Sequence, residues 1–130
     1  MNKLELNMEY MSLNDIINNN DFVIISKDNC NNCKILDLNL KQFNIHNLKY
    51  FNINHMLSAY DEHCTEMSDI LLQDIELLKT KCNINTYPMI FIKHEYIQYD
   101  TVINLITFDN FIKYLDDASI LYDINEKDDF

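Results

Sequence analysis

The chain of 130 residues carries a formal net charge of −11 at pH 7, and 48% of its residues are hydrophobic. That hydrophobic content excludes an intrinsically disordered chain, and at this length one domain buries about two-thirds of the surface its unfolded chain exposes. The negative charge disfavours nucleic acid or anionic lipid as a partner, because both would be repelled. No apolar run approaches the ~20 residues that a transmembrane helix requires, so we also expect no membrane partner.

The N-terminal residues and the cysteine content predict the cellular compartment. Residues 1–15, MNKLELNMEYMSLND, lack the apolar core and the small-residue cleavage site of a secretory signal. Four cysteines are too few for a disulfide-stapled secreted scaffold of this length. We therefore expect a cytoplasmic protein, in which a closely spaced cysteine pair is more often redox-active or metal-binding.

The first half of the chain predicts two strands, each next to a helix. Residues 12–20 are typical of a short helix that ends in an Asn-rich stretch. Residues 22–26 form a continuous apolar run with β-branched members, which indicates a strand buried on both faces. Apolar residues at helical spacing then predict a helix over 31–43. Residues 48–53 are a second strand, whereas residues 54–65 are predicted to be a loop with a helical turn.

The second half predicts a helix, a hairpin and a last helix. Apolar residues recur on one face of a helix over 67–81. The segment MIFIK, 89–93, is a buried strand, and YIQYDTVINL, 96–105, is its antiparallel partner after a short turn. Thr107 is an N-cap for the last helix. The buried stripe of that helix would be Phe108, Phe111, Ile112 and Leu115. The acidic residues 122–130 are expected to fray.

The chain contains no glycine, which constrains its turns. Glycine enters the left-handed backbone region at least cost, so here Asn or Asp must occupy that region. We therefore expect turns at the Asn-rich stretches 18–20 and 52–54.

The order of these elements predicts the architecture. A β-α-β unit followed by an α-β-β-α unit implies an α/β domain with a mixed sheet and helices on both faces. No internal repeat or linker divides the sequence, so we expect a single domain over 1–130 with its core at about 22–118 and an acidic tail from about 122.

The motif with the most chemical content is the pair Cys30 and Cys33 within FVIISKDNCNNCK, 22–34. Cys30 lies where the first predicted strand ends and the next helix begins. Unpaired N–H groups and the helix dipole at that end favour the thiolate, which is the attacking form of cysteine. Cys33, three residues later on the same side and predicted to be less exposed, would resolve a mixed disulfide formed at Cys30. Lys27 and Lys34 would add positive potential.

Two other interpretations of the cysteine pair remain open. Zinc needs four ligands, usually as two spaced pairs, and the further candidates Cys64, Cys82 and four histidines contain no second pair at ligand spacing. The same fold could also serve as a binding or structural module whose cysteines do not turn over. Cys82, at the end of an apolar helix, is expected to be a buried small hydrophobe. Cys64 is expected to be inert, and the histidines are expected to lie on the surface without a catalytic role.

Two segments resemble the thioredoxin-like superfamily. IISKDNCNNCK, 24–34, is similar to the glutaredoxin active-site segment, in which a strand is followed by Ser-Lys, two residues, Cys-x-x-Cys and Lys. NINTYPMIFIK, 83–93, is similar to the superfamily's proline loop and the hydrophobic strand after it. The resemblance spans roughly 22–118 and implies a thioredoxin-like fold with a four-stranded mixed sheet and thiol–disulfide oxidoreductase activity. Compact, AT-biased members that this chain resembles occur in large DNA viruses.

The resemblance also implies roles for residues outside the cysteine pair. In that superfamily the loop proline, here Pro88, is in the cis form and packs against the cysteines. Tyr87 would offer backbone hydrogen bonds to an extended substrate, as in strand addition. By similarity to glutaredoxins, Lys27 would meet a glutathione carboxylate, and Thr86 and Tyr87 would flank the tripeptide. The implied partners are disulfide-containing proteins or glutathione as co-substrate, with no tightly bound cofactor or metal, and a monomer or weak homodimer is expected.

Overall fold

The computed structural model describes residues 11–63 and 65–125. Its strands are β1 (Phe22–Ser26), β2 (Phe43–Ile45), β3 (Leu48–Asn52), β4 (Met89–Ile92), β5 (Glu95–Ile97) and β6 (Tyr122–Ile124). Its helices are α1 (Leu13–Asn19), α2 (Asn31–Leu40), α3 (Ile53–His63), α4 (Thr65–Cys82), α5 (Tyr99–Thr107) and α6 (Phe111–Asp117). Cys64, most of the N-terminal segment inspected for a signal, and residues 126–130 of the acidic tail lie outside the described residues.

The central sheet has four strands in the order β3-β1-β4-β5. β3 runs parallel to β1, with Phe22 opposite Leu48 and Ser26 opposite Asn52. β4 is antiparallel to β1, and β5 is antiparallel to β4. The predicted four-stranded mixed sheet with helices on both faces is therefore confirmed.

The central position of β1 explains its continuous apolar run. Val23 and Ile25 pack into a cluster with α1, α3 and α4, whereas Phe22 and Ile24 pack into a second cluster with α2, α5 and α6. All four side chains are at most 1% exposed. Each such burial contributes about 1.5–3 kcal/mol. The sheet is thus fixed between two apolar layers, and the end of β1 is a rigid point from which the cysteine segment begins.

The prediction that one helix covers residues 31–43 is wrong at its C-terminal end. α2 ends at Leu40, and Phe43 begins β2, which pairs with β6 in a separate two-stranded ribbon. The Phe43 ring lies 4.9 Å from that of Phe111 and so remains in contact with the second cluster. Residues 122–124 of the tail expected to fray are the partner strand, and the N–H of Asn125 donates to the Gln42 carbonyl at 2.8 Å.

The prediction of a loop over residues 54–65 is also wrong. α3 occupies Ile53–His63, and the Asn52 side chain accepts a hydrogen bond from the His55 N–H at 3.0 Å at its first turn. Ile53 and Tyr60 are buried in the first cluster, and Met56 and Leu57 pack against it. Those four positions have the i, i+3, i+4, i+7 spacing of an apolar helix face, so burial against the sheet stabilises a helix that surrounding polar residues obscured.

The strand predicted over 96–105 is shorter than expected. β5 ends at Ile97, and α5 runs over Tyr99–Thr107, with Val102 and Ile106 buried one turn apart. From Tyr99 onward the buried apolar residues recur at helical spacing. This segment packs as a helix on the sheet face that includes Phe22 and Ile24 of β1, and it does not extend the hairpin.

The last predicted helix begins later than Thr107. Thr107 ends α5, and α6 begins at Phe111 after a turn in which Asp109 has φ 59°. Phe111 and Leu115 are buried as predicted, but Phe108 is 68% exposed and Ile112 is 42% exposed. The break between the helices rotates both residues out of the core.

Left-handed backbone is supplied by more residue types than expected. Asn29, Asn83 and Asp109 have positive φ, in line with the expectation for Asn and Asp, but Lys93, His94 and Ser119 also do. Lys93 and His94 form the tight β4–β5 turn, where two consecutive positive φ values match the right-handed twist of a hairpin. The stretches 18–20 and 52–54 are instead the end of α1 and the junction from β3 to α3.

No helix within residues 11–63 and 65–125 combines the length and the apolar character that crossing a bilayer requires.

Candidate active site at the Cys30–Cys33 pair

A short turn carries the chain from β1 into the cysteine segment. After Ser26 the chain reverses at Asn29, whose φ of 56° lies in the left-handed region. The N–H of Asp28 donates to the Asn54 side chain at 2.7 Å, and the Asn52 amide donates to the Asp28 carboxylate at 3.2 Å. These bonds attach the turn to the junction between β3 and α3, so the residue after it has a defined position.

Cys30 is the N-cap of α2. Its Sγ accepts a hydrogen bond from the backbone N–H of Cys33 at 3.2 Å. This is the position where a helix presents N–H groups without intrahelical partners and the positive end of its dipole. The two cysteines form a disulfide with their Cα atoms 5.2 Å apart, within the range that a disulfide spans.

The expectation that Cys33 is the less exposed cysteine is wrong. Cys30 is only 8% exposed, whereas Cys33 is of intermediate exposure. The reason is the loop before β4, since the Tyr87 carbonyl oxygen lies 3.7 Å from the Cys30 Sγ. The same sulfur nevertheless lines an open cleft on another side.

The proline loop reaches the Cys30 sulfur through the Tyr87 carbonyl oxygen. The Tyr87–Pro88 peptide is cis, and Pro88 is buried. Tyr87 is half-buried, and the Lys27 Nζ lies 5.3 Å from the centroid of its ring. Thr86 is exposed on the same loop. The structure thus brings Cys30, Lys27 and Tyr87 together, with Thr86 and Pro88 next to Tyr87 in the chain.

Lys79 is a second cation at this loop that sequence reasoning missed. Its Nζ lies 5.4 Å from the Tyr87 ring centroid and 3.5 Å from the Glu76 carboxylate. Burial raises the pKa of Tyr87, and Lys79 partly opposes that rise, so the phenol is neutral at pH 7. Lys79 lies in the last turn of α4, and no local pattern indicates that this helix ends beside the proline loop.

A cleft of about 770 Å³ opens at the two cysteines. Besides the two cysteines and Lys27, the cleft is lined by residues of α2, β3 and α3. These are Lys34 and Asp37 in α2; Lys49, Tyr50, Phe51 and Asn52 in β3; and His55, Met56 and Tyr60 in α3. Thr86, Tyr87 and Pro88 do not line it. The cleft therefore reaches the sulfurs from the β3 side and not from the proline loop.

Tyr50 and Asp37 join the two sides of this cleft. The Tyr50 hydroxyl donates to the Asp37 carboxylate at 3.2 Å. Burial raises the pKa of Tyr50, and the adjacent Asp37 charge and hydrogen bond raise it further. Neither residue was singled out from the sequence, because their contact joins a helix to a strand 13 positions away.

The remaining cysteines and histidines bear on the zinc interpretation. Within the described part of the chain, no group of three or more His, Cys, Asp or Glu side chains is arranged to hold a metal ion. Cys82 is a free thiol of intermediate exposure that packs against the first cluster. His94 is exposed, and its Nδ1 lies 2.9 Å from the Ile17 carbonyl oxygen.

Comparisons with known proteins place the fold. No family model matches the sequence, and no curated protein matches it either. Among solved structures, oxidised glutaredoxin 2 from Chlamydomonas reinhardtii is similar, with a TM-score of 0.60 and 18% identity over 93% of this chain and 100% of that one. A buckwheat glutaredoxin–glutathione complex has a TM-score of 0.60 and 17% identity, over 93% of this chain and 99% of that one.

The holo form of glutaredoxin C1 from Populus tremula x tremuloides gives a TM-score of 0.58 and 20% identity, over 81% of this chain and 92% of that one. These likenesses extend over nearly the whole described architecture. The chain therefore has the thioredoxin-like fold in the form that glutaredoxins share, as its two motifs indicated.

Proposed function

We propose that this protein is a thiol–disulfide oxidoreductase that uses the Cys30–Cys33 pair. In the reduced form the Cys30 thiolate attacks one sulfur of a substrate disulfide, so a mixed disulfide forms and the other substrate sulfur leaves as a thiolate. The Cys33 thiolate then attacks the Cys30 sulfur, which closes the intramolecular disulfide and releases the second substrate thiolate. The substrate gains two electrons, the pair loses two, and an external thiol reduces the pair for the next cycle.

The observation that carries this proposal is the position of the Cys30 sulfur. It caps a helix N-terminus, accepts the Cys33 N–H, and borders an open cleft. The helix end stabilises a thiolate at Cys30, and the adjacent cysteine is near enough to close the ring. A structural disulfide would need neither feature.

The proposed substrates are protein disulfides and glutathione mixed disulfides. In support, Lys27 has its ammonium group beside Tyr87, and Tyr87 has its carbonyl beside Cys30. Lys27 would bind a glutathione carboxylate, while Thr86, Tyr87 and Pro88 would form a wall on the side of Cys30 that faces away from the cleft. Glutathione enters as a co-substrate, and one of the similar structures is a glutaredoxin–glutathione complex.

Trapping of a mixed disulfide tests this proposal. Reduced Cys33→Ser protein should accumulate a covalent adduct with a disulfide peptide through Cys30, because the second step is blocked. Cys30→Ser should give no adduct and no turnover. Cys82→Ser is the matched control, since that thiol lies outside the pair, and it should behave as the wild type in intact-mass and turnover assays.

Alkylation of the reduced protein over a range of pH tests the thiolate. Cys30 should react at a lower pH than Cys82 in the same molecule. If Cys30 reacts like Cys82 and the Cys33→Ser variant traps no disulfide substrate, the chain is a binding or structural module on this fold and the proposal is wrong.

A further inference from the structure

Strand β3 is an unpaired edge of the central sheet. It pairs only with β1, and no other strand in the described part of the chain lies on its outer side. An exposed edge presents a row of backbone N–H and C=O groups that can pair with another extended chain. At about 3.3 Å per residue, the five residues Leu48–Asn52 offer an edge of roughly 17 Å.

This edge is continuous with the redox pair. Lys49, Tyr50, Phe51 and Asn52, four consecutive residues of β3, line the same cleft as Cys30 and Cys33. α2 borders the cleft on one face of the sheet and α3 on the other, because the two helices pack into opposite core clusters. An extended chain laid on the β3 edge would therefore bring its own sulfur to Cys30.

The charges along the cleft favour an acidic chain. Lys27, Lys34 and Lys49 line it, and none of them has an ion-pair partner among the described residues. Two carboxylates also line it and keep their negative charge: Asp28 accepts a hydrogen bond from Asn52, and Asp37 accepts one from Tyr50. In a chain of net charge −11, three lysines thus outnumber the two carboxylates along this cleft, next to the sulfurs.

We propose that an extended, acidic segment of a disulfide-bearing partner protein binds along the edge of β3 by strand addition, with its disulfide at Cys30. This inference rests on the proposed function and specifies its substrate class. Main-chain hydrogen bonds to β3 supply affinity, as in other strand-addition complexes. Lys27, Lys34 and Lys49 favour partner segments that are rich in acidic residues. Small disulfides reach Cys30 without using the edge.

Reduction of peptide mixed disulfides tests the charge selection. Peptides with one cysteine linked to thionitrobenzoate and with either Glu-rich or Lys-rich flanks release a coloured thiolate on attack by the reduced protein. The Glu-rich peptide should react roughly tenfold faster at low salt, and added salt should reduce the difference. The mixed disulfide of 2-mercaptoethanol with thionitrobenzoate serves as the small substrate.

Reversing the charge of Lys49 on β3 tests whether this edge causes the preference for the Glu-rich peptide. Lys49→Glu should slow the Glu-rich peptide by roughly tenfold and slow the small substrate far less. Lys41→Glu, which makes the same charge change at an exposed position outside the cleft, should leave both rates close to the wild type.

Backbone methylation tests strand addition directly. Two Glu-rich peptides N-methylated on alternate residues lose either the donors that face β3 or those that face away, so only one of them should bind weakly. The inference is wrong if the two methylated peptides react at the same rate, or if the Glu-rich and Lys-rich peptides do. In either case, turnover of the small substrate would still support the proposed function. If neither substrate class is reduced, the proposed function itself is wrong.

Discussion

Tyr50 is the residue whose ionisation the fold perturbs most clearly. Its ring is partly buried on the cleft, and its hydroxyl donates to Asp37. Both features disfavour the tyrosinate, so the pKa of Tyr50 is raised above the ordinary value of 10.0. The resulting stability is fully present below pH 10 and is lost as the pH rises through the folded-state pKa.

Tyr50→Phe should therefore remove one tyrosine whose ionisation is shifted to higher pH. In an alkaline titration followed by tyrosinate absorbance, the variant should lack one of the steps above pH 10 and should lose less stability in that range. At neutral pH it should lose only about 0.5–1.5 kcal/mol, the worth of one hydrogen bond. A titration curve identical to that of the wild type would show that Tyr50 is not held protonated.

Asn54, in α3, anchors the turn that precedes Cys30. Its side-chain oxygen accepts the Asp28 N–H at 2.7 Å, two residues before Cys30. Asn54→Ala removes that anchor, yet alanine favours α3, so we expect little change in thermal stability. We expect slower disulfide exchange at Cys30 and a shift of its alkylation to higher pH, because the sulfur no longer stays at the helix end.

Asn39→Ala is the matched control for this change. Asn39 also makes an exposed side-chain bond to a backbone atom, donating to the Ile35 carbonyl at 2.8 Å on the same helix as the cysteines. It should leave the alkylation profile unchanged. Equal effects of the two variants would mean that Asn54 does not position Cys30.

At the scale of elements, the end of α6 carries a conformational cost that one substitution can remove. Ser119 has φ 58°, and the N–H of Ile120 donates to the Leu115 carbonyl at 2.9 Å, which is the Schellman arrangement at a helix C-terminus. A non-glycine residue in this conformation costs about 1–2 kcal/mol. Ser119→Gly should raise the free energy of unfolding by up to about 1 kcal/mol, since glycine also loses more entropy on folding.

Ser119→Ala separates the backbone from the side chain in that experiment. Alanine has the same difficulty as serine with positive φ, so chemical denaturation should show no gain in stability. A gain equal to that from glycine would show that the left-handed backbone is not the cause.

The elements that were predicted well have their signal within a few adjacent residues. β1, β3, β4 and α4 match their predicted ranges within two residues. Continuous apolar runs specify β1 and β4, and a long amphipathic stripe specifies α4. α3 carried the i, i+3, i+4, i+7 pattern, but its polar residues outnumber the apolar ones. β2 and β6 are three-residue strands that exist because they pair with each other, and no local pattern encodes that pairing.

The same distinction applies to the candidate site. The Cys-x-x-Cys pair and the proline loop are local motifs, and the structure brings both to one place. Lys79 and the Tyr50–Asp37 contact depend on which elements the fold packs together. The relative exposure of the two cysteines depended on the proline loop, which lies 57 residues further along the chain.

At the scale of the whole molecule, the excess of 21 acidic over 10 basic residues opposes the compact state through self-repulsion. Exposed ion pairs such as Lys113 with Asp117 each contribute at most about 1 kcal/mol. Sodium chloride screens repulsion over distances beyond about 10 Å at 0.1 M while weakening these pairs only slightly. Added salt should therefore raise the thermal unfolding temperature by a few degrees.

Lys41→Glu should enlarge this salt effect, since it makes the net charge more negative by two without touching the cleft. Thermal scans of the oxidised protein at increasing sodium chloride would measure both slopes. A falling unfolding temperature would mean that local attractions outweigh the global repulsion. Added salt should instead lower the rate of disulfide exchange with acidic substrates. The screening that stabilises the acidic fold also weakens the attraction between the lysines of the cleft and an acidic chain.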